Sequence, residues 1–227
     1  MTLQPLRDIL RALEQRHGKP AVEEPADPFE MILRENIGYL VTDEQREEAF
    51  RALREKIGTT PGQILDASRE TLHEVALLGG MHPEDRVATL IRIAEIALAE
   101  AEGDLRRILS GPLPRAREVL RKFPGIKDPI VEKILLYTRT HPSLALDSSG
   151  LRVLLRLGFG EEKKGYDATL HAVKEAMGNQ LGGDYDLLME AYILLRRHGR
   201  EICRRSPACG ECPLTAVCRD YQNRMGH

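Results

Sequence analysis

Four cysteines, Cys203, Cys209, Cys212 and Cys218, stand in the stretch "CRRSPACGECPLTAVC" near the end of a 227-residue chain. Their spacing is C-x5-C-x2-C-x5-C. Thiols this close together are not ordinary core residues, and a reducing cytosol disfavours two disulfides. A metal site remains. Tetrahedral thiolates suit zinc or an iron–sulfur cluster, and the x2 pair fits both. The five-residue spacers make a roomier loop than a zinc knuckle, yet spacing alone leaves both metals open.

A second stretch, "KFPGIKDPIVEK" at residues 122–133, predicts a tight turn between two helices. Gly125 can take the positive φ such a turn needs. Asp128 reads as the N-cap of the second helix and Pro129 as its first residue. Backbone N–H groups at a helix start form an anion site, and a DNA phosphate fits it without any sequence readout. Arg115, Arg117, Arg121, Lys122, Lys127 and Lys133 surround the turn, against Glu118, Asp128 and Glu132. The same pattern also describes an ordinary αα-hairpin whose turn meets only water. A third candidate is Asp147, in "SLALDSSGLRVLLRLGF", just before an apolar helix. By itself it reads as an N-cap.

The elements that carry these residues are helical nearly everywhere. Leu3, Leu6, Ile9, Leu10 and Leu13 share one side of a helix over 3–17. Phe29, Ile32, Leu33, Ile37 and Leu40 recur at helix spacing after a Pro/Glu/Ala/Asp linker. Thr42 with Gln45 forms a capping box, and Thr60-Pro61 starts another helix. Residues 83–101 are apolar on more than one face, as a core helix is. Further helices are expected near 114–122, 129–139, 148–158, 167–178 and 184–198. "SLAL" is the single strand candidate, so the fold class is all-α.

Apolar residues make up 42% of the chain and charged residues 30%, a globular profile. No apolar run is long enough for a membrane span, and the first twenty residues carry charge throughout. A cytoplasmic protein with no membrane partner is expected. The net charge of −2 is unevenly spread. Residues 1–100 hold 12 Lys and Arg against 19 Asp and Glu; the remainder holds 21 against 16. The basic second half could face an anionic polymer, or the asymmetry is chance between two solvated surfaces.

Taken in order, "FPGIKDPIVEKILLYT", "LALDSSGLRVLLRLGF" and "LRRHGREIC" leading into the four-cysteine loop resemble the endonuclease III branch of the helix-hairpin-helix DNA glycosylase superfamily. The similarity spans roughly residues 28–220 and is thin in the N-terminal half. It implies a [4Fe–4S] cluster on the four cysteines rather than zinc, with Arg204 and Arg205 of the same loop presented to DNA. It implies two helical domains with a DNA groove between them. A six-helix domain, 29–141, would carry the helix-hairpin-helix at 114–138. Residues 1–28 plus 142–227 would form the other, with the cluster loop at 203–218. Lys122, Gly125 and Lys127 would grip backbone phosphate, and Asp147 would be the catalytic carboxylate acting on a flipped base. A monomer acting on double-stranded DNA with a lesion or mismatch, in the nucleoid, is implied.

Two departures bear on the activity. Endonuclease III carries a lysine just inside the second hairpin helix, where it attacks the sugar and cuts the strand. The matching position here is Pro129, which has no amine. The first cysteine spacer is five residues, where six is expected of endonuclease III. In the early helix no glutamine aligns to fill the gap left by a flipped base. Asn36 and Tyr39 are the pocket candidates, with core or surface roles equally open. The expected activity is therefore monofunctional hydrolysis of an N-glycosidic bond in base excision repair. The alternatives are a glycosylase/lyase using Lys127 or Lys133 and a non-catalytic DNA-structure-binding protein.

Overall fold

The computed structural model describes residues 4–22 and 26–226, so Leu3 lies outside the described residues. The chain is all-α, with thirteen α-helices, two short 3-10 turns and no strand among the described residues. "SLAL" is extended loop without a strand to pair with; Leu144, Ala145 and Leu146 are simply buried. None of the helices described is long and apolar enough to cross a membrane.

Two compact units divide the chain: Met1–Glu24 with Pro142–His227, and Pro25–His141. The first unit opens with α1 (Leu6–His17), which buries Leu6, Ile9, Leu10 and Leu13.

The second unit runs from α2 (Pro28–Asn36) to α9. Asp27 caps α2 by accepting from the N–H groups of Phe29 and Glu30. The expected run to Leu40 stops at Asn36. Ile37 is buried, but Leu40 turns left-handed at φ 56° and is 77% exposed. In α3 (Asp43–Lys56) and α4 (Pro61–Asp66) capping boxes pair Thr42 with Gln45 and Thr60 with Gln63. Ser68 caps α5 (Arg69–Leu78), which the periodicity did not single out. The central helix is α6 (Pro83–Ala101), packed against α2, α4, α5 and the short α7 (Leu105–Leu109). Its Leu90 and Ile93 are wholly buried, each contributing about 1.5–3 kcal/mol. The unit closes with α8 (Leu113–Arg121) and α9 (Asp128–Tyr137). It thus holds six helices of nine residues or more, plus the short α4 and α7.

The remaining helices return to the first unit: α10 (Ser148–Leu157), α11 (Tyr166–Met177), α12 (Tyr185–Glu201) and α13 (Arg219–Met225). Here α12 is the spine, packed against both α1 and α10. It approaches α10 so closely at Gly199 that a Cβ there would stand 2.4 Å from the Ser149 carbonyl oxygen.

Candidate active site and cluster loop

Between α8 and α9, Gly125 adopts φ 71°. A Cβ there would come 2.9 Å from Asn36 Oδ1, while Asn36 Nδ2 donates to the Ile32 carbonyl at 2.9 Å. Asn36, a pocket candidate, therefore lies against the hairpin turn. α9 starts one residue earlier than expected. Lys127 holds the cap position without a side-chain cap bond, Asp128 is the first helical residue and Pro129 the second. The reason is competition: the Asp128 carboxylate accepts from Arg121 Nε at 2.7 Å instead of capping the helix.

Most cations around the turn are already partnered. Lys122 reaches Glu100 at 2.8 Å, Arg117 reaches Glu132 at 2.7 Å and Arg115 reaches Glu118 at 2.7 Å. The exposed pairs, Lys122–Glu100 and Arg115–Glu118, are worth about 0–1 kcal/mol and can yield to a phosphate, whereas Arg117 is held by a buried Glu132. Lys133 is held in the same way as Arg117, its Nζ 2.7 Å from a Glu35 carboxylate that is itself largely buried. Lys127 is exposed and has no ion pair among the described residues.

Asp147 belongs to the other unit and caps α10. Its Oδ1 accepts from Ser149 and Gly150 N–H at 3.0 and 2.8 Å. Its Oδ2 lies 3.3 Å from Arg196 Nε on α12, a neighbour that sequence reasoning missed. Nearby, Tyr166 donates its hydroxyl to the Leu146 carbonyl. Burial, and after it the Asp147 charge, push the Tyr166 phenol above its usual range.

The same helix reaches the cysteine loop. Arg152 donates to the carbonyls of Cys203 and Gly199 at 2.9 and 2.8 Å. One turn on, Arg156 donates to those of Arg204 and Arg205 at 2.7 and 3.1 Å. So α10 carries Asp147 at its start and grips the loop with an i, i+4 arginine pair. The Arg204 and Arg205 side chains themselves are exposed.

All four cysteines line one largely apolar pocket with Ile202, Pro207 and Tyr221. Yet no three His, Cys, Asp or Glu among the described residues converge on a position for one ion. Four thiols around a shared pocket fit a cluster that takes one thiolate per iron. Burial raises the Cys212 and Cys218 thiols, so iron must displace their protons. Three sulfurs meet nitrogen groups: Cys203 with Arg156 Nη1 at 3.2 Å, Cys209 with Arg224 Nη2 at 3.4 Å, Cys212 with His198 Nε2 at 3.4 Å. Arginine N–H groups of this kind favour charged sulfur.

A further feature escaped the sequence. The loops after α2 and α5 meet, with Tyr39 N–H donating to Gly79 O at 2.9 Å. Arg86, buried in α6, donates to the Ala76 and Met81 carbonyls at 2.7 Å and fixes the second loop. The joined loops carry exposed Tyr39, Leu40 and Met81, at 55, 77 and 58%. Leu40 and His82 are both left-handed, a strain of about 1–2 kcal/mol each. Strain is kept where the surroundings over-determine it, often at a functional surface. Leu40 was missed because its spacing continues the helical stripe.

A family model described as the iron–sulfur binding domain of endonuclease III matches residues 204–218, one residue after Cys203. Endonuclease III of Thermotoga maritima is 26% identical over 219 residues, covering 96% of this chain and 92% of that one. A thymine/uracil-DNA glycosylase of Pyrobaculum aerophilum is 29% identical over 167 residues, 73% of this chain and 69% of that one. A solved non-covalent endonuclease III–DNA complex shares the fold, with a TM-score of 0.74 at 21% identity over both full lengths. The cofactor is a [4Fe–4S] cluster, which decides between the two metals that spacing left open. With likeness along its length and not at one motif alone, the chain resembles endonuclease III and its DNA glycosylase relatives in sequence, and shares their fold.

Proposed function

We propose that this protein is a monofunctional DNA glycosylase of base excision repair. It acts as a monomer on double-stranded DNA and hydrolyses the N-glycosidic bond of a damaged or mismatched base, leaving an abasic site. The observation that carries the reading is Pro129 as the second residue of α9. Proline offers no amine for an imine with the sugar. Lys133, the lysine within that helix, has its nitrogen engaged by Glu35.

Losing a base leaves positive charge on the sugar. The Asp147 carboxylate supplies the compensating charge and orients the attacking water, its plane set by the cap bonds to Ser149 and Gly150. The Gly125 turn and Lys127 hold a backbone phosphate, with Lys122 exchanging Glu100 for phosphate. Arg204 and Arg205 add sequence-independent attraction. Leu40 and Met81 enter the base stack, as apolar side chains do when a duplex is kinked or a base extruded. Tyr39 lines the same surface. The cluster's four thiolates are Cys203, Cys209, Cys212 and Cys218. Bound there it would hold the loop's own turns together, while Arg152 and Arg156 hold the loop to α10, and Asp147 and the hairpin do the work on DNA.

A lyase reading keeps one supporting observation, the exposed Lys127 amine, which has no ion pair among the described residues. Duplexes carrying uracil or thymine in a mismatch, an alkylated purine or an oxidised pyrimidine decide between the readings. Strand breaks appearing only after alkali, with no borohydride-trapped adduct, support hydrolysis alone. An adduct lost in Lys127→Ala would establish the lyase. Tight binding with no base release on any duplex would make the protein a DNA-structure binder.

A further inference from the structure

Three side chains that base release leaves unused lie in a line ending at the cluster loop. His17 and His198 are 9 and 1% exposed. His17 Nε2 lies 3.1 Å from His198 Nδ1, and His198 Nε2 lies 3.4 Å from Cys212 Sγ. At the outer end, Glu201 Oε2 stands 3.4 Å from His17 Nδ1. That approach lacks hydrogen-bond geometry, so Nδ1 is a buried nitrogen with no hydrogen-bond partner among the described residues. The two rings come from the last turns of α1 and α12, and meet edge to face at 75°.

Proton counting gives the line a direction. A neutral imidazole carries one N–H and one lone pair, so the two rings bring two protons to the line. Three gaps are thus served by two protons, and one gap has none. A cysteinate bound to iron only accepts. His198 must then carry its proton on Nε2, toward Cys212. Its Nδ1 becomes an acceptor and takes the N–H of His17 Nε2. His17 Nδ1 is left as a bare lone pair facing a carboxylate, and it is the atom found unpartnered.

We propose that His17 locks the tautomer of His198, and that His198 delivers an N–H to the Cys212 sulfur, raising the reduction potential of the cluster. Added electron density on a cluster is shared by its sulfurs, and donors to them stabilise the reduced form. Both histidines are buried, so they act as tuning residues and not catalytic ones. Their 181-residue separation makes the pair invisible to any local motif.

Voltammetry of the iron-loaded protein, with iron counted per chain, tests this. His198→Leu is expected to shift the potential to more negative values. His17→Leu, which leaves every cysteine contact intact, shifts it the same way by less. His198→Gln, whose amide restores an N–H, recovers most of the wild-type value. Wild-type potentials in His198→Leu and His17→Leu at full iron content would overturn the proposal. If His198→Leu loses its iron, His17→Leu decides: an unshifted potential there also overturns it.

Discussion

Arg196 Nε lies 3.3 Å from Asp147 Oδ2, while Oδ1 of the same carboxylate accepts two backbone N–H groups of α10. The cap bonds fix the carboxylate plane and the guanidinium fixes which edge remains open. Both side chains are about a third exposed, so the pair itself adds little to stability. Its effect is orientation. A carboxylate proposed to face a developing cation must not rotate freely, and here two elements hold it. The N-cap reading and the catalytic reading of Asp147 are therefore one geometry.

Asp147→Asn separates charge from cap. An asparagine oxygen still accepts from Ser149 and Gly150, so folding stability stays within about 0.5 kcal/mol. The charge facing the sugar is lost, and single-turnover base release falls on the order of 100–1,000-fold. Gel assays with alkaline cleavage measure the loss of base release, and thermal melting measures the stability. Full activity in this variant across the lesion panel would remove Asp147 from the mechanism.

Gly199→Ala tests the contact behind the carboxylate. The new Cβ would stand 2.4 Å from Ser149 O, in the first turn of α10, where backbone must move. Overpacking of this kind costs about 1–3 kcal/mol. Since the displaced turn also caps onto Asp147, base release is expected to fall while duplex binding at low salt persists. Chemical denaturation and fluorescence anisotropy check the two halves.

The fold class was legible because helical periodicity and capping signals agree locally: Thr42 with Gln45, Thr60 with Gln63, Pro61 at a helix start. Gly125 was legible for a similar reason, since a turn there needs positive φ. One-residue details were not. Asp128 looks like a cap until Arg121, seven positions away, draws its carboxylate off. Leu40 continues an apolar stripe, and only the meeting of two loops turns it outward. Arg196 and the His17–His198 pair depend on contacts between α1, α10 and α12, which no local pattern encodes.

The exposed loop tips give a prediction in which activity and stability part company. Leu40→Ala and Met81→Ala remove side chains that are 77 and 58% exposed, so each changes folding stability by less than about 0.5 kcal/mol. If these side chains fill the stack around an extruded base, base release falls most for well-paired targets, where unstacking costs most. The double variant, compared on a paired lesion and on the same lesion opposite a poorly pairing base, checks this. An equal loss on both duplexes would point to a packing role for the tips.

Glu201→Gln gives opposite outcomes for the two directions of the histidine line. Were His17 Nδ1 protonated, the Glu201 carboxylate would be its acceptor, and the amide would weaken that link. With Nδ1 bare, as proton counting toward an iron-bound sulfur requires, the N–H of the introduced amide meets a lone pair that now has no partner. The amide oxygen can still accept from Arg197 Nε, which lies 2.9 Å from Glu201 Oε1 in the native chain. Satisfying a buried nitrogen is worth about 1 kcal/mol. The iron-loaded Glu201→Gln protein is therefore expected to melt at or above the native temperature, with its cluster potential unchanged or slightly higher. A lower melting temperature would reverse the assignment, placing the His17 proton on Nδ1 and turning the Nε2 of His198 into an acceptor facing Cys212.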